Sequence, residues 1–394
     1  MRLRIVAALS LGVLALNSQA DETAEQAYRD FLQARGEPAW IGAGAEHPAA
    51  NSVIRPTPAL ATFDLDPDKQ ALGFDLYHEA RLSRDGTVSC ASCHMGMMGG
   101  TDRQTVSRGI GGAIGSRNAP TVFNSAFNFR QFWDGRALDL DEQALGPISN
   151  PVEMGHDLDA VLQWLAADPY YAGRFATIYP DGVTAANLGN AIATHVRTMT
   201  RNDSRFNRYL TSGEPVLSEQ ELRGWQRFND LGCAACHNGI NLGGNSYQKL
   251  ASARVFDDQL VPGVRDEGLF GRTGREQDRQ VFKVPSLQNI TRTAPYFHDG
   301  SVRSLEEAVR LMGRLNAGRE LSDADVGDLV VFLGSLDSQS MGGMGGMGGM
   351  EGMGGMQHDM SGAGSPGGMH QHMQHMQQMM QMNHGQHHGN QEGF

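Results

Sequence analysis

Apolar residues recur at helical spacing in several stretches of the chain. Leu72, Leu76, Tyr77 and Ala80 share one helical face, and so do Leu222, Trp225 and Phe228, so each set predicts an amphipathic helix. A third stripe, Leu305, Ala308, Val309, Met312 and Leu315, follows Ser304-Leu305-Glu306-Glu307, which reads as a capping box. The N-terminus has a different pattern. Arg2 and Arg4 precede an apolar run from Ile5 to Leu16, which ends at Ser18-Gln19-Ala20 before the acidic Asp21-Glu22, as in a secretory signal cleaved after Ala20. That run is short of the roughly 20 apolar residues a spanning helix needs, and no later segment approaches this length. The mature protein is therefore expected to be soluble and periplasmic, with no membrane span, and no Cys stands at the cleavage point to carry a lipid.

Residues 21 to about 337 have ordinary globular composition, a length that suggests two domains at about 100 to 200 residues each. From Ser338 to Phe394 the chain is mostly Gly, Met, His and Gln, with a Met-Gly-Gly period from Met341 to Met353 and no Lys or Arg. Such a segment cannot bury a core, and it is expected to be a disordered C-terminal tail. The formal charge of −12 becomes about −14 once the two signal arginines are removed. This argues against nucleic acid and anionic lipid and leaves a basic or neutral protein partner open.

Four cysteines in an exported chain would ordinarily suggest two disulfides. Their spacing suggests otherwise. Cys90-Ala91-Ser92-Cys93-His94 and Cys233-Ala234-Ala235-Cys236-His237 are both C-x-x-C-H, the pattern of covalent haem attachment, in which the thiols add to the haem vinyl groups and the His ligates iron from below. A redox dithiol gives no reason for a His after each pair, and a zinc site joining pairs 143 residues apart would be unusual. The expected cofactors are two c-type haems.

An internal repeat extends beyond the motifs. A glycine pair follows each, Gly99-Gly100 and Gly243-Gly244, and further on Pro120-Thr121-Val122-Phe123-Asn124 leads in fifteen residues to Asp134-Gly135, as Pro285-Ser286-Leu287-Gln288-Asn289 does to Asp299-Gly300. The expected fold is mainly α, a duplicated haem domain: signal peptide 1–20, N-terminal extension 21–69, haem-1 domain 70–212, haem-2 domain 213–337 and tail 338–394. The halves differ at the iron. Met312, on a buried stripe, is the candidate sixth ligand of haem 2, whereas the matching position of the first half is Pro147, which cannot ligate iron. An open haem 1 can activate a small oxidant while a His/Met-ligated haem 2 transfers electrons. Moving a proton between peroxide oxygens needs a carboxylate near the iron, for which Gln143 and Glu153, flanking Gly146-Pro147-Ile148-Ser149-Asn150-Pro151, mark the neighbourhood. His298 falls where Trp133 falls in the first half, which puts it near haem 2, and His156 lies three residues after Glu153.

Over roughly residues 70 to 337 the chain resembles the bacterial di-haem cytochrome c peroxidases. The resemblance is carried by Arg81-Leu82-Ser83, Arg117-Asn118-Ala119-Pro120-Thr121, Gln131-Phe132-Trp133-Asp134-Gly135-Arg136, Asn150-Pro151-Val152-Glu153-Met154 and Thr293-Ala294-Pro295-Tyr296-Phe297-His298-Asp299-Gly300. It implies two tandem cytochrome c-like domains, the first peroxidatic and the second the point of electron entry. It also implies hydrogen peroxide as substrate, a small cytochrome c or copper protein (cupredoxin) as donor, and a homodimer. By the same resemblance Glu153 is the acid/base carboxylate, Gln143 the active-site glutamine, Trp133 the tryptophan between the haems and Met312 the axial methionine. Asn118, Thr293 and Pro295 match the ligands of a calcium ion at the domain junction. Many members carry a gating His before Arg-Asn-Ala-Pro that caps haem 1 when oxidised; here that position is Ile110, and no His occurs between His94 and His156. The MauG-type oxidases, which oxidise side chains of a partner protein, also lack the gate, but they use a tyrosine on the second haem where this chain offers Met312. The tail's thirteen methionines and seven histidines are ligands suited to Cu(I) and Cu(II).

Overall fold

The computed structural model describes residues 54–250 and 266–340. The expected signal peptide, the extension up to residue 53 and the tail from 341 onward lie outside the described residues. Among those described the fold is mainly helical, with one two-stranded antiparallel pair, Tyr247–Lys249 against Val281–Lys283.

Each half begins with a helix whose start is written into the sequence. Asp66 accepts from the backbone N–H groups of Asp68 and Lys69, and Pro67 occupies the first turn, so the first helix runs Pro67–His78 and starts slightly before the expected border at 70. Ser218 and Glu221 form a reciprocal capping box that starts the second, Glu219–Asp230. Each crosses a later helix at a glycine. A Cβ on Gly73 would sit 2.0 Å from the Ala191 carbonyl oxygen on the Ala185–Arg197 helix, and one on Gly224 would sit 2.0 Å from that of Asp328 on the Asp323–Gly334 helix. This crossing decides the buried face of Glu219–Asp230. Glu221, Gly224 and Phe228 are buried, whereas Leu222, read as part of the apolar stripe, is 39% exposed. The carboxylate of Glu221 is held by the N-cap and by Arg205.

Two apolar cores follow the duplication. One gathers Leu72, Leu76, Ile148, Leu165, Phe175 and Leu188, and the other Ile54, Phe206, Phe228, Leu242, Phe332 and Leu336. Phe206 and Leu210, on the Arg205–Ser212 helix, pack in the second core. The repeat is equally plain in the backbone. Asn124 and Asn289, Phe132 and Phe297, and Gly135 and Gly300 are corresponding pairs in which every member has positive φ. The Ser304 cap of the Leu305–Leu315 helix accepts from the Glu307 N–H as expected, but its hydroxyl donates to Glu306, so the reciprocal half of the box is not made by Glu307. At the end of the second half the Ser338 hydroxyl and the Ser340 N–H donate to the Asp203 carboxylate.

Candidate functional site

The two C-x-x-C-H segments are built alike. His94 Nδ1 lies 3.2 Å from the Gly100 carbonyl and His237 Nδ1 lies 3.0 Å from that of Leu242, which fixes each ring and leaves Nε2 to face a metal. Burial lowers both imidazoles below their ordinary pKa, favouring the neutral form that ligates iron. None of the four cysteines is paired. Burial pushes the thiols of Cys90 and Cys233 up, to about 12 and about 11, the opposite of what a reactive redox dithiol requires. Among the described residues no group of three or more His, Cys, Asp or Glu side chains could hold a metal by themselves, which removes the zinc reading.

In the second half Cys233, Cys236 and His237 line a cavity of about 290 Å³ that is also lined by Met312. This is a pocket for a flat apolar group with a nitrogen and a sulfur ligand, and it fits haem. Trp133 of the first half reaches the same cavity, its indole N–H donating to the Asn118 carbonyl at 2.9 Å. His298 is there too, stacked on Phe282 at 4.3 Å and 6.3 Å from the Trp133 ring. Asn118, Thr293 and Pro295 share this wall. Asn118 Nδ2 donates to the Gln104 and Thr105 carbonyls and its backbone N–H to the His298 carbonyl, so its Oδ1 is the side-chain atom left for a cation. Next to His298, the buried Asp299 has one carboxylate oxygen without a partner. These are hard oxygen donors of the kind calcium takes.

In the first half Tyr77 donates its hydroxyl to the His94 carbonyl at 2.8 Å. Glu153 lies within electrostatic reach of Cys90 and Cys93, raising both thiols, which puts its carboxyl beside the first haem motif. Burial raises the Glu153 carboxyl above its ordinary value, against the pull of Arg136 and of a 2.6 Å hydrogen bond from Asn150 Nδ2. Arg136 also pairs with Asp134 and lies 3.5 Å over the Phe132 ring. Gln143 is half-buried on the Leu140–Ser149 helix, and no hydrogen bond joins its side chain to Glu153. Ile110 is 6% exposed, its N–H donates to the Glu153 carbonyl at 2.8 Å, and its side chain packs at Gly155, where a Cβ would come within 2.5 Å of Cδ1. The residue in the gate position is thus a core side chain. His156 Nδ1 is engaged by the Asp157 carbonyl. Sequence reading placed Tyr77 only on a helical stripe, quoted Asn150 and Arg136 only within motifs, and did not touch on Lys283. Only the structure places the first two and Arg136 beside the first haem motif and Lys283 on the cavity wall.

Comparison with known proteins agrees with this geometry. The profile of the family described as "Di-haem cytochrome c peroxidase" matches residues 67–215. "Cytochrome c peroxidase Ccp" of Escherichia coli (strain K12) is 44% identical over 288 residues, 73% of this chain and 61% of that protein, so the chain spans about three fifths of that relative's length. "Cytochrome c551 peroxidase" of Nitrosomonas europaea is 42% identical over 289 residues, 73% of this chain and 85% of the relative. The crystal structure of "a MauG-like protein associated with microbial copper homeostasis" superposes with a TM-score of 0.64 at 28% identity, covering 78% of this chain and 98% of that one. No helix among the described residues is long and apolar enough to cross a membrane.

Proposed function

Because this chain belongs to the di-haem cytochrome c peroxidase family, we propose that it reduces hydrogen peroxide to water in the periplasm with electrons from a small cytochrome c or copper protein. The observation that carries the reading is the asymmetry of the halves: Met312 shares a cavity with His237, whereas Pro147 stands at the matching position of the first half and Glu153 lies beside its cysteines. Cys90, Cys93 and His94 would hold one haem and Cys233, Cys236, His237 and Met312 the other, which would supply an iron for peroxide and an iron for electron entry. Glu153 then accepts the proton of the attacking peroxide oxygen and returns it to the departing one, and with two electrons and two protons each peroxide leaves as two waters. Burial keeps this carboxyl poised above the ordinary carboxylate range, and Asn150 orients it. Gln143 orients the substrate, Trp133 lies on the path between the haems, and Asn118, Thr293 and Pro295 hold calcium at the junction. A homodimer is part of this reading.

The alternative, a MauG-type oxidase acting on a partner protein, is disfavoured by Met312 and by the higher identity to the named peroxidases than to the named MauG proteins. With Ile110 buried in the gate position, the fully oxidised protein should react with peroxide without prior reduction. The test is stopped-flow mixing of oxidised protein with peroxide, followed by steady turnover with a reduced donor. A purely six-coordinate low-spin spectrum and no reaction before reduction would show that another residue closes the first haem. Sustained turnover with a small donor separates a peroxidase from an oxidase.

The tail is proposed to bind copper through its thioethers and imidazoles, soft and borderline donors suited to both oxidation states. Methionines in a protein that consumes peroxide are open to sulfoxidation, a cost that an extension built of Ser and Lys would not carry. The superposed MauG-like protein is described as associated with microbial copper homeostasis, which supports the same reading. Cu(I) bound per chain should fall when the protein ends at Ser340, which keeps both serines on Asp203, with peroxidase activity unchanged. Equal stoichiometry against a competing chelator would end the copper reading.

A further inference from the structure

Lys283 ends the short strand Val281–Lys283 and is only 6% exposed. Among the described residues its ammonium meets neither a carboxylate nor a hydrogen-bond acceptor, and burial alone lowers it to about 8. A buried cation without a counter-charge is strongly unfavourable, so an anion seated beside it in the completed protein would stabilise it. Its position says which. Lys283 lines the same cavity as Cys233, Cys236, His237 and Met312, and its backbone N–H donates to the Trp133 carbonyl at 2.8 Å. A c-type haem seated there through those ligands brings two propionate carboxylates, the anions that the described protein atoms do not provide.

We propose that Lys283 is the counter-ion of a propionate of the second haem and that its charge sets that haem's reduction potential. The inference rests on the two-haem reading of the site. An unpaired propionate in a site of low dielectric favours the oxidised iron, because its negative charge stabilises the extra positive charge. A fixed ammonium beside it cancels that effect and favours reduction. The strand also joins the cation to Trp133, so one short element ties the potential of the electron-entry haem to the route towards the first. Lys283→Met keeps the stem and removes the charge.

The measurement is a spectroelectrochemical titration of the holoprotein, with haem per chain counted first. Two haems on the wild-type chain establish the site reading independently of the ion pair; one or none would overturn the reading on which the pair depends. In Lys283→Met the equilibrium constant for reducing the second haem should fall at least tenfold, about 59 mV for a one-electron couple. Lys283→Arg should keep the wild-type value. If Lys283→Met fails to load haem, Lys283→Gln, which keeps a polar head, is read in the same way. A neutral variant with both haems attached and an unchanged potential would overturn the proposal, and so would an arginine variant shifted as far as the neutral one.

Discussion

Replacing Glu153 with glutamine should slow steady-state peroxide reduction by at least tenfold, within the roughly 10² to 10⁴ that a positioned general acid–base group contributes, while both haems stay attached. Glutamine keeps the size of the side chain and an oxygen for the Asn150 bond, so the loss reports proton transfer and not collapse of the loop. The pH profile makes the assignment specific. Because burial raises the Glu153 carboxyl, the protonated form persists above the ordinary carboxylate range. A step needing the anion as proton acceptor is therefore lost as pH falls through that raised value, and the acid limb should lie higher than for an exposed glutamate. In Glu153→Gln that limb should disappear. Unchanged turnover, or an unchanged limb, would remove Glu153 from the role.

The neighbourhood of Glu153 shows how far the chain could be read before its structure. The helices before each haem motif, their caps and the repeated Asp-Gly turns depend on local signals a few residues long, and these are visible in the sequence. Leu222 was misplaced because a period of 3.6 does not say which of two adjacent faces meets a neighbour. Gly224, which lets Asp328 approach, decides that, and it rotates Glu221 inward. The same limit hid Asn150 and Arg136. Each is ordinary in sequence, and only the fold of the loop after Ile148 brings the Asn150 amide and the Arg136 charge to one carboxyl. Nothing in the sequence marks Lys283: the pairing of its N–H with the Trp133 carbonyl and its place on the cavity wall depend on residues far away in the chain. The two C-x-x-C-H motifs are legible without such help, because covalent haem attachment calls for a contiguous pattern, whereas Met312 is reached only through the repeat and a helical stripe.

Met312→Leu should have the other large effect. Leucine fills nearly the same volume, so the Leu305–Leu315 helix should hold its place, and what is lost is the thioether sulfur. Methionine as the partner of histidine raises a haem's potential, and a softer sulfur ligand favours the reduced iron. Without it the second haem should lose its methionine–iron charge-transfer absorption and become harder to reduce. Every 59 mV or so of fall costs a factor of ten in one-electron transfer equilibrium from the donor. Donor-driven turnover should therefore drop tenfold or more. A single reaction of the oxidised protein with peroxide, which involves Glu153 and the first haem, should be much less affected. That division distinguishes a ligand from a packing residue: Met312 lies in the cavity beside Leu305, Ala308 and Val309, and a packing role would leave the absorption and the potential where they were. If the charge-transfer absorption survives the substitution, the sixth ligand is another residue and the electron-entry assignment of the second half loses its main support.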